Sequence, residues 1–278
     1  MEKYKKIIFA TLTIAMMVVV VWGCNKGFLD KKPIGQYTIE TYFTDEAKAF
    51  QAVVGVYDVS GWDKTFDRMF WTLGDGASDD SNFGMNRDDG SPPYVDINPI
   101  TDYANVAEAK FSPAFENMYK GFYEGINRAN VAINGIETAP ISDQKKARFI
   151  AECKALRAIY YFMLVNYYGG VPLFIKPINP GNADDVNIPR ATARQVYDQI
   201  EKDLTEAIPA LPTKQATIDE KMVGRVTKGA AGALLAKVFL FDKKYTEAAA
   251  AAQVVMASGE YNLNPGYYAN FVQATANG

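Results

Sequence analysis

Apolar side chains return every three or four residues through most of the chain beyond Pro113, and capping residues, Gly or Pro break the pattern at regular intervals. That spacing commits the chain to amphipathic helices joined by short connections. The first of these is predicted to begin at Ser112-Pro113, an N-cap with Pro at the first helical position. Phe115, Met118, Tyr119, Phe122, Ile126, Ala129 and Ile133 then form one stripe, and Pro140 closes the element. Ser142 caps a second helix carrying Phe149, Leu156, Tyr160 and Leu164, which stops at Gly169-Gly170. After a loop holding Pro172, Pro177, Pro180 and Pro189, Thr192 and Gln195 make a capping box. Val196, Ile200, Leu204 and Ile208 follow at steps of four, and Pro209 and Pro212 end that helix.

The last pair is the most informative. One helix runs from about Thr227 to Phe241, Asp242 to Lys244 turn, and a second runs to about Ser258 before Gly259. Leu235, Ala236, Phe239 and Ala248 take the relative positions of the leucine, small, aromatic and alanine residues in a tetratricopeptide repeat. The fold class expected is therefore all-α, with tetratricopeptide-like helical hairpins forming an α-superhelix. An earlier helix is predicted from Thr44, with Ala47, Phe50, Val54 and Tyr57 on its apolar face and Gly61 at its end. Residues 62–113, rich in Gly, Asp, Asn, Ser and Pro, read as a long irregular loop, and its aromatics argue against disorder.

The N-terminus has a different grammar. Lys3, Lys5 and Lys6 precede an uncharged apolar run from Ile7 to Trp22, then Gly23-Cys24. A basic start, a short apolar segment and a small residue mark a secretory signal. The run is about 16 residues, short of the roughly 20 that span a bilayer as a helix. Val21-Trp22-Gly23-Cys24 resembles a relaxed bacterial lipobox, which makes Cys24 the expected site of lipidation and the mature N-terminus. Several acyl chains there would anchor the protein stably. An uncleaved signal anchor with a chance cysteine is the other reading. The expected division is a signal peptide over 1–23, a tether over 24–43 and a helical domain over 44–278.

Composition removes several functions. The chain has no histidine, which excludes Ser-His-Asp and Cys-His catalysis and imidazole metal sites. A net charge of −3 lacks the basic footprint of a nucleic-acid binder. The second cysteine, Cys153, falls inside a helical pattern and reads as a buried small apolar residue. Aromatics make up 13% of the chain, enough for a core and for faces that stack on sugar rings. A two-carboxylate hydrolase stays open, since a glycosidase needs only a proton donor and a base or nucleophile.

Phe28-Leu29-Asp30-Lys31-Lys32-Pro33 is similar to a signature that follows the lipid cysteine in the SusD/RagB family. The helix from Ala155 into Tyr167-Tyr168-Gly169-Gly170-Val171-Pro172-Leu173 resembles that family's most diagnostic block. Pro189-Arg190-Ala191-Thr192, Gly224-Arg225-Val226-Thr227 and Ser258-Gly259-Glu260-Tyr261 match further motifs in the same order. The resemblance implies a surface-exposed lipoprotein of the outer membrane that captures an oligosaccharide or other nutrient and serves a SusC-like TonB-dependent transporter. It implies no cofactor, no catalysis and ligand contacts from loops outside the helical scaffold. Family members usually continue for about as many residues again, so a fragment is expected here. By the same resemblance the ligand-binding residues expected are Asp79, Asp80, Asn82, Phe83 and Asn86, where carboxylates and amides suit hydroxyls and Phe83 offers a stacking face. A turn whose Asp side chains cap local backbone is the plainer account of that stretch. Trp62 and Trp71 read as packing residues, and Asp75, Asp79, Asp80, Asp88 and Asp89 lack the spacing of a calcium loop. Two other functions compete: a tetratricopeptide adaptor lipoprotein that holds a peptide, and a carboxylate-based glycoside hydrolase.

Overall fold

The computed structural model describes residues 39–67, 113–179, 181–264 and 266–271, with the shorter stretches 4–5, 8–9, 70, 73–76 and 78–79. The chain divides into one unit over Met1–Thr41 and another over Tyr42–Gly278. In the first, residues 4–5 and 8–9 are helical. Most of the expected leader and tether, Cys24 included, lies outside the described residues. Ile39–Tyr42 forms a turn of helix.

The second unit is built from helices α1 (Glu46–Asp58), α2 (Pro113–Thr138), α3 (Asp143–Tyr168), α4 (Ala193–Ala207), α5 (Lys214–Asp219), α6 (Lys228–Phe241) and α7 (Tyr245–Ala257). Among the described residues the one β-type contact is an isolated antiparallel bridge between Pro172 and Arg190. The all-α class of helical hairpins is what the periodicity requires. Neighbours in sequence pack as neighbours in space: α2 on α3, α3 on α4, α4 on α6 and α6 on α7, with α1 against α2 and α3.

Local chemistry sets the boundaries. The Ser142 hydroxyl accepts from the Lys145 amide at 3.4 Å. Thr192 and Gln195 close a reciprocal capping box, with the Thr192 amide donating to Gln195 Oε1 at 2.9 Å. Thr227 caps α6 through the Ala230 amide. Gly169 stops α3 with a φ of 70°, a left-handed backbone that glycine adopts without a Cβ penalty. Gly170 then presses so closely on the Ala191 carbonyl that a Cβ would fall on it. α5, capped by Thr213, was not anticipated because its six residues carry too short a pattern to read.

Two expectations for α1 need correction. Its N-cap is Asp45, whose carboxylate accepts from the Lys48 amide at 2.9 Å, while Thr44 donates to that carboxylate at 3.0 Å. Those bonds, the Lys48 amide first, hold the Asp45 carboxyl below its ordinary range. The buried stripe is Ala49, Val53 and Val56, whereas Ala47 and Val54 are exposed and Phe50 and Tyr57 half-buried. The helix is covered on two sides. Ala49, Val53 and Val56 enter the core, and the Phe50 ring lies 5.9 Å from Phe149 with the Arg225 guanidinium 5.0 Å above it.

α2 buries Met118, Phe122, Ile126, Ala129 and Ile133 as its spacing demands. α3 is the centre of the unit and is buried nearly all round from Phe149 to Val165. Cys153 lies on it with no exposed surface, and burial followed by the nearby Glu152 pushes its thiol far above the ordinary range. Alkylation with iodoacetamide at pH 8 should therefore leave Cys153 unlabelled in the native chain and label it fully in urea, read by peptide mass mapping. Native labelling at the denatured rate would contradict this burial.

Candidate functional site

Of the loop positions expected to meet ligand, Asp79 is described and is exposed. It follows a turn in which the Ser78 amide and hydroxyl both donate to the Asp75 carbonyl, at 3.1 and 2.7 Å. Asp80, Asn82, Phe83 and Asn86 lie outside the described residues, as does Trp71. Trp62 is half-buried. Its indole nitrogen donates to Asp58 at 3.1 Å, and Arg128 and Lys64 sit 4.7 and 4.8 Å from its ring. Among the described residues no three carboxylate or thiol groups converge as a metal site would need.

The better-defined cleft lies elsewhere, between α2 and the extended segment 172–178 that follows α3. Its construction begins with a buried ion pair. Arg157 on α3 grips Asp203 on α4 through two parallel bonds of 2.8 and 2.7 Å, with both side chains almost wholly buried. The remaining guanidinium nitrogen donates to Asn130 Oδ1 at 2.7 Å and to the Ile175 carbonyl at 3.3 Å. The Asn130 amide in turn donates to the carbonyls of Phe174 and Lys176, at 2.8 and 3.1 Å. Tyr161 donates to the Phe174 carbonyl at 2.9 Å and accepts from its amide at 2.7 Å. Tyr123 donates to the Pro172 carbonyl at 2.7 Å. Burial holds both phenols well above their ordinary range, so they stay protonated and able to donate. Arg157, Asn130, Tyr161 and Tyr123 each reach the main chain of the segment, which becomes a strap tied across α2 and α3.

Strap and helix leave a groove of about 570 Å³ between them. Tyr119 and Tyr123 on α2 and Phe174 on the strap give it aromatic walls, all half-buried. The Tyr119 and Tyr123 rings are 4.7 Å apart, and Phe174 meets Tyr123 at 5.7 Å and 81°. One residue further round the helix, Lys120, Glu124 and Asn127 make a polar rim at the same helical spacing. The rim is charge-balanced, with Lys120 paired to Glu116 at 2.5 Å and Glu124 to Arg128 at 3.0 Å. Tyr119 belongs to the expected core stripe of α2, and Tyr123 stands outside it. The signal available was the tyrosine pair one helical turn apart beside a parallel polar row. Phe174, about fifty positions away, carried none.

A second buried cluster braces α1. Glu152, fully buried on α3, accepts two bonds from Arg225, at 2.8 and 2.5 Å, and one from the Tyr57 hydroxyl at 2.9 Å. Arg148 lies 3.5 Å from the same carboxylate and pairs with Glu220 at 2.6 Å. The motif around Arg225 thus meets α1 and α3 in the core.

A family model described as starch-binding and associating with the outer membrane matches residues 27–240. A SusD-like protein of Bacteroides ovatus is 27% identical over 232 residues, covering 82% of this chain and 38% of its own length. A solved laminarin-binding SusD-like protein is 35% identical with a TM-score of 0.61, over 77% of this chain and 44% of that one. Surface glycan-binding protein A from Bacteroides thetaiotaomicron is 27% identical with a TM-score of 0.64, over 84% and 47% of the two chains. The chain therefore spans somewhat less than half the length of these relatives.

Proposed function

This chain belongs to the SusD/RagB family of SusD-like proteins, and from that premise we propose that it binds a glycan at the cell surface and passes it to a SusC-like TonB-dependent transporter. The observation that carries the proposal is the family match across 27–240, which takes in helices α1 to α5 and most of α6. Two similar solved proteins are named for binding laminarin or surface glycans, and the family description names starch. Cys24 is the proposed lipid anchor in the outer membrane, with the loop beyond Asp79 a candidate ligand contact. The protein acts here as a receptor and not as a catalyst. The carboxylates beside the groove, Glu116 and Glu124, are each tied to a cation, an arrangement that does not free an acid and a base for glycosidic chemistry.

The direct test is calorimetric titration of the purified chain with maltohexaose, laminarihexaose, cellohexaose and xylohexaose, with chromatography of the sugars afterwards. Saturable binding of at least one hexasaccharide, recovered intact, is the expected outcome. Absence of binding across the set would refute glycan capture, and shortened products would favour the hydrolase. For the anchor, labelling of expressing cells with radioactive palmitate should mark the wild-type chain and not Cys24→Ser, which should also leave the membrane fraction. A Cys24→Ser chain that keeps the label would place the lipid elsewhere.

A further inference from the structure

We infer that the groove between α2 and the strap 172–178 is a sugar subsite, built for a short stretch of neutral oligosaccharide. This rests on the glycan-binding reading above and gives it a location on α2 and the strap. The walls supply the first reason. Tyr119, Tyr123 and Phe174 are half-buried, so each keeps ring surface facing the groove. An aromatic face is the negative part of its quadrupole, and the axial C–H groups of a pyranose present a weakly positive apolar face that fits it. The perpendicular setting of Phe174 on Tyr123 gives the groove a corner, which suits a sugar ring followed by a bend at the glycosidic link.

The rim supplies the second reason. Lys120, Glu124 and Asn127 offer donors and acceptors along one edge of the aromatic floor, and an amide such as Asn127 provides both. A few polar groups over a mainly apolar, concave surface is the usual make-up of a small-molecule site, and about 570 Å³ lies within the roughly 300–1,000 Å³ range of such sites. Lys120 and Glu124 are already neutralised by Glu116 and Arg128, so the rim has no spare charge for an anionic ligand. The ligand class that fits is therefore neutral and hydroxyl-rich. The third reason is rigidity. Tyr123, Tyr161 and Asn130 fix the strap's main chain, so the wall is formed before any ligand arrives and little ordering cost falls on binding. The cleft between α6 and α7, about 230 Å³ and walled by aliphatic side chains such as Leu235 and Val254, has no stacking face of this kind.

The test uses whichever hexasaccharide the wild-type chain binds best in the titrations above. Tyr119→Ala and Phe174→Ala remove one wall each, and the Phe174 substitution leaves the main-chain bonds of the strap in place. Asn127→Trp fills the groove from the rim without removing a packed side chain. Both alanine variants should weaken binding about tenfold or more, and Asn127→Trp should abolish it, with thermal unfolding near that of the wild type for Phe174→Ala and Asn127→Trp. Unchanged affinity in all three would overturn the subsite while leaving glycan capture intact. Weakening in the alanine variants alone, with lowered thermal midpoints and a fully active Asn127→Trp, would reduce the rings to a structural role and also overturn it. A wild-type chain that binds none of the hexasaccharides removes both the general reading and this one.

Discussion

Asp203→Ala is expected to destabilise the folded chain by about 3–5 kcal/mol, measured by urea unfolding. The reason is the guanidinium left behind. Arg157 and Asp203 are both nearly inaccessible, so removal of the carboxylate strands a positive charge with one amide oxygen and one carbonyl for company. Breaking a buried pair costs far more than the pair contributes, because its Coulombic gain mostly repays its own desolvation. The double variant Arg157→Met/Asp203→Leu should therefore recover more than half of the loss. Asn130 would still lose a partner in that variant, so full recovery is not expected. A loss below about 1 kcal/mol for Asp203→Ala would mean that Arg157 escapes to solvent, and that the strap does not depend on it.

Glu152→Ala is expected to cost a similar amount, about 3–5 kcal/mol, through another side of α3. Glu152 serves Arg225 twice and Tyr57 once, and Arg148 leans on it electrostatically. Two Arg148 nitrogens, Nε and Nη2, are already buried without a hydrogen-bond partner. Without the carboxylate, two guanidiniums face each other in the core and one tie from α3 to α1 is cut, the Tyr160 bond to the Val56 carbonyl remaining. Glu152 and Arg157 share no partner and point to different sides of α3, five residues and roughly 140° apart. The two losses should accordingly add within about 0.5 kcal/mol when Glu152→Ala and Asp203→Ala are combined. Strong non-additivity would show that α1, α3 and α4 are coupled through the helix itself.

Neither cluster was visible in the amino-acid pattern, and the reason is general. Helix ends and helix faces are local properties, written within a few residues of where they act. Ser142, Thr192, Gln195 and Gly169 could each be assigned a role from their immediate neighbours, and the structure gives them those roles. The α1 stripe failed because that helix is covered twice, so periodicity alone could not say which face was deeper. Glu152 and Arg157 look like any charged residues on a helix until Arg225 and Asp203 arrive from 73 and 46 positions away. The groove has the same limitation. Tyr119 and Tyr123 stand together in sequence, yet a groove needs an opposite wall, and Phe174 comes from beyond a whole helix. Of the loop residues expected to meet ligand, only Asp79 is described, and it is exposed.

The strap has an evolutionary consequence. Its attachments fall on the carbonyls of Pro172, Phe174, Ile175 and Lys176 and on the Phe174 amide, which nearly every amino acid supplies alike. Ile175 and Lys176 hold their side chains largely in solvent. Substitutions at 173–176 can therefore accumulate without moving the segment, provided Asn130, Arg157 and Tyr161 stay. A lineage could exchange Phe174 for another side chain and alter the lining of the groove in a single step, while inheriting an unchanged scaffold.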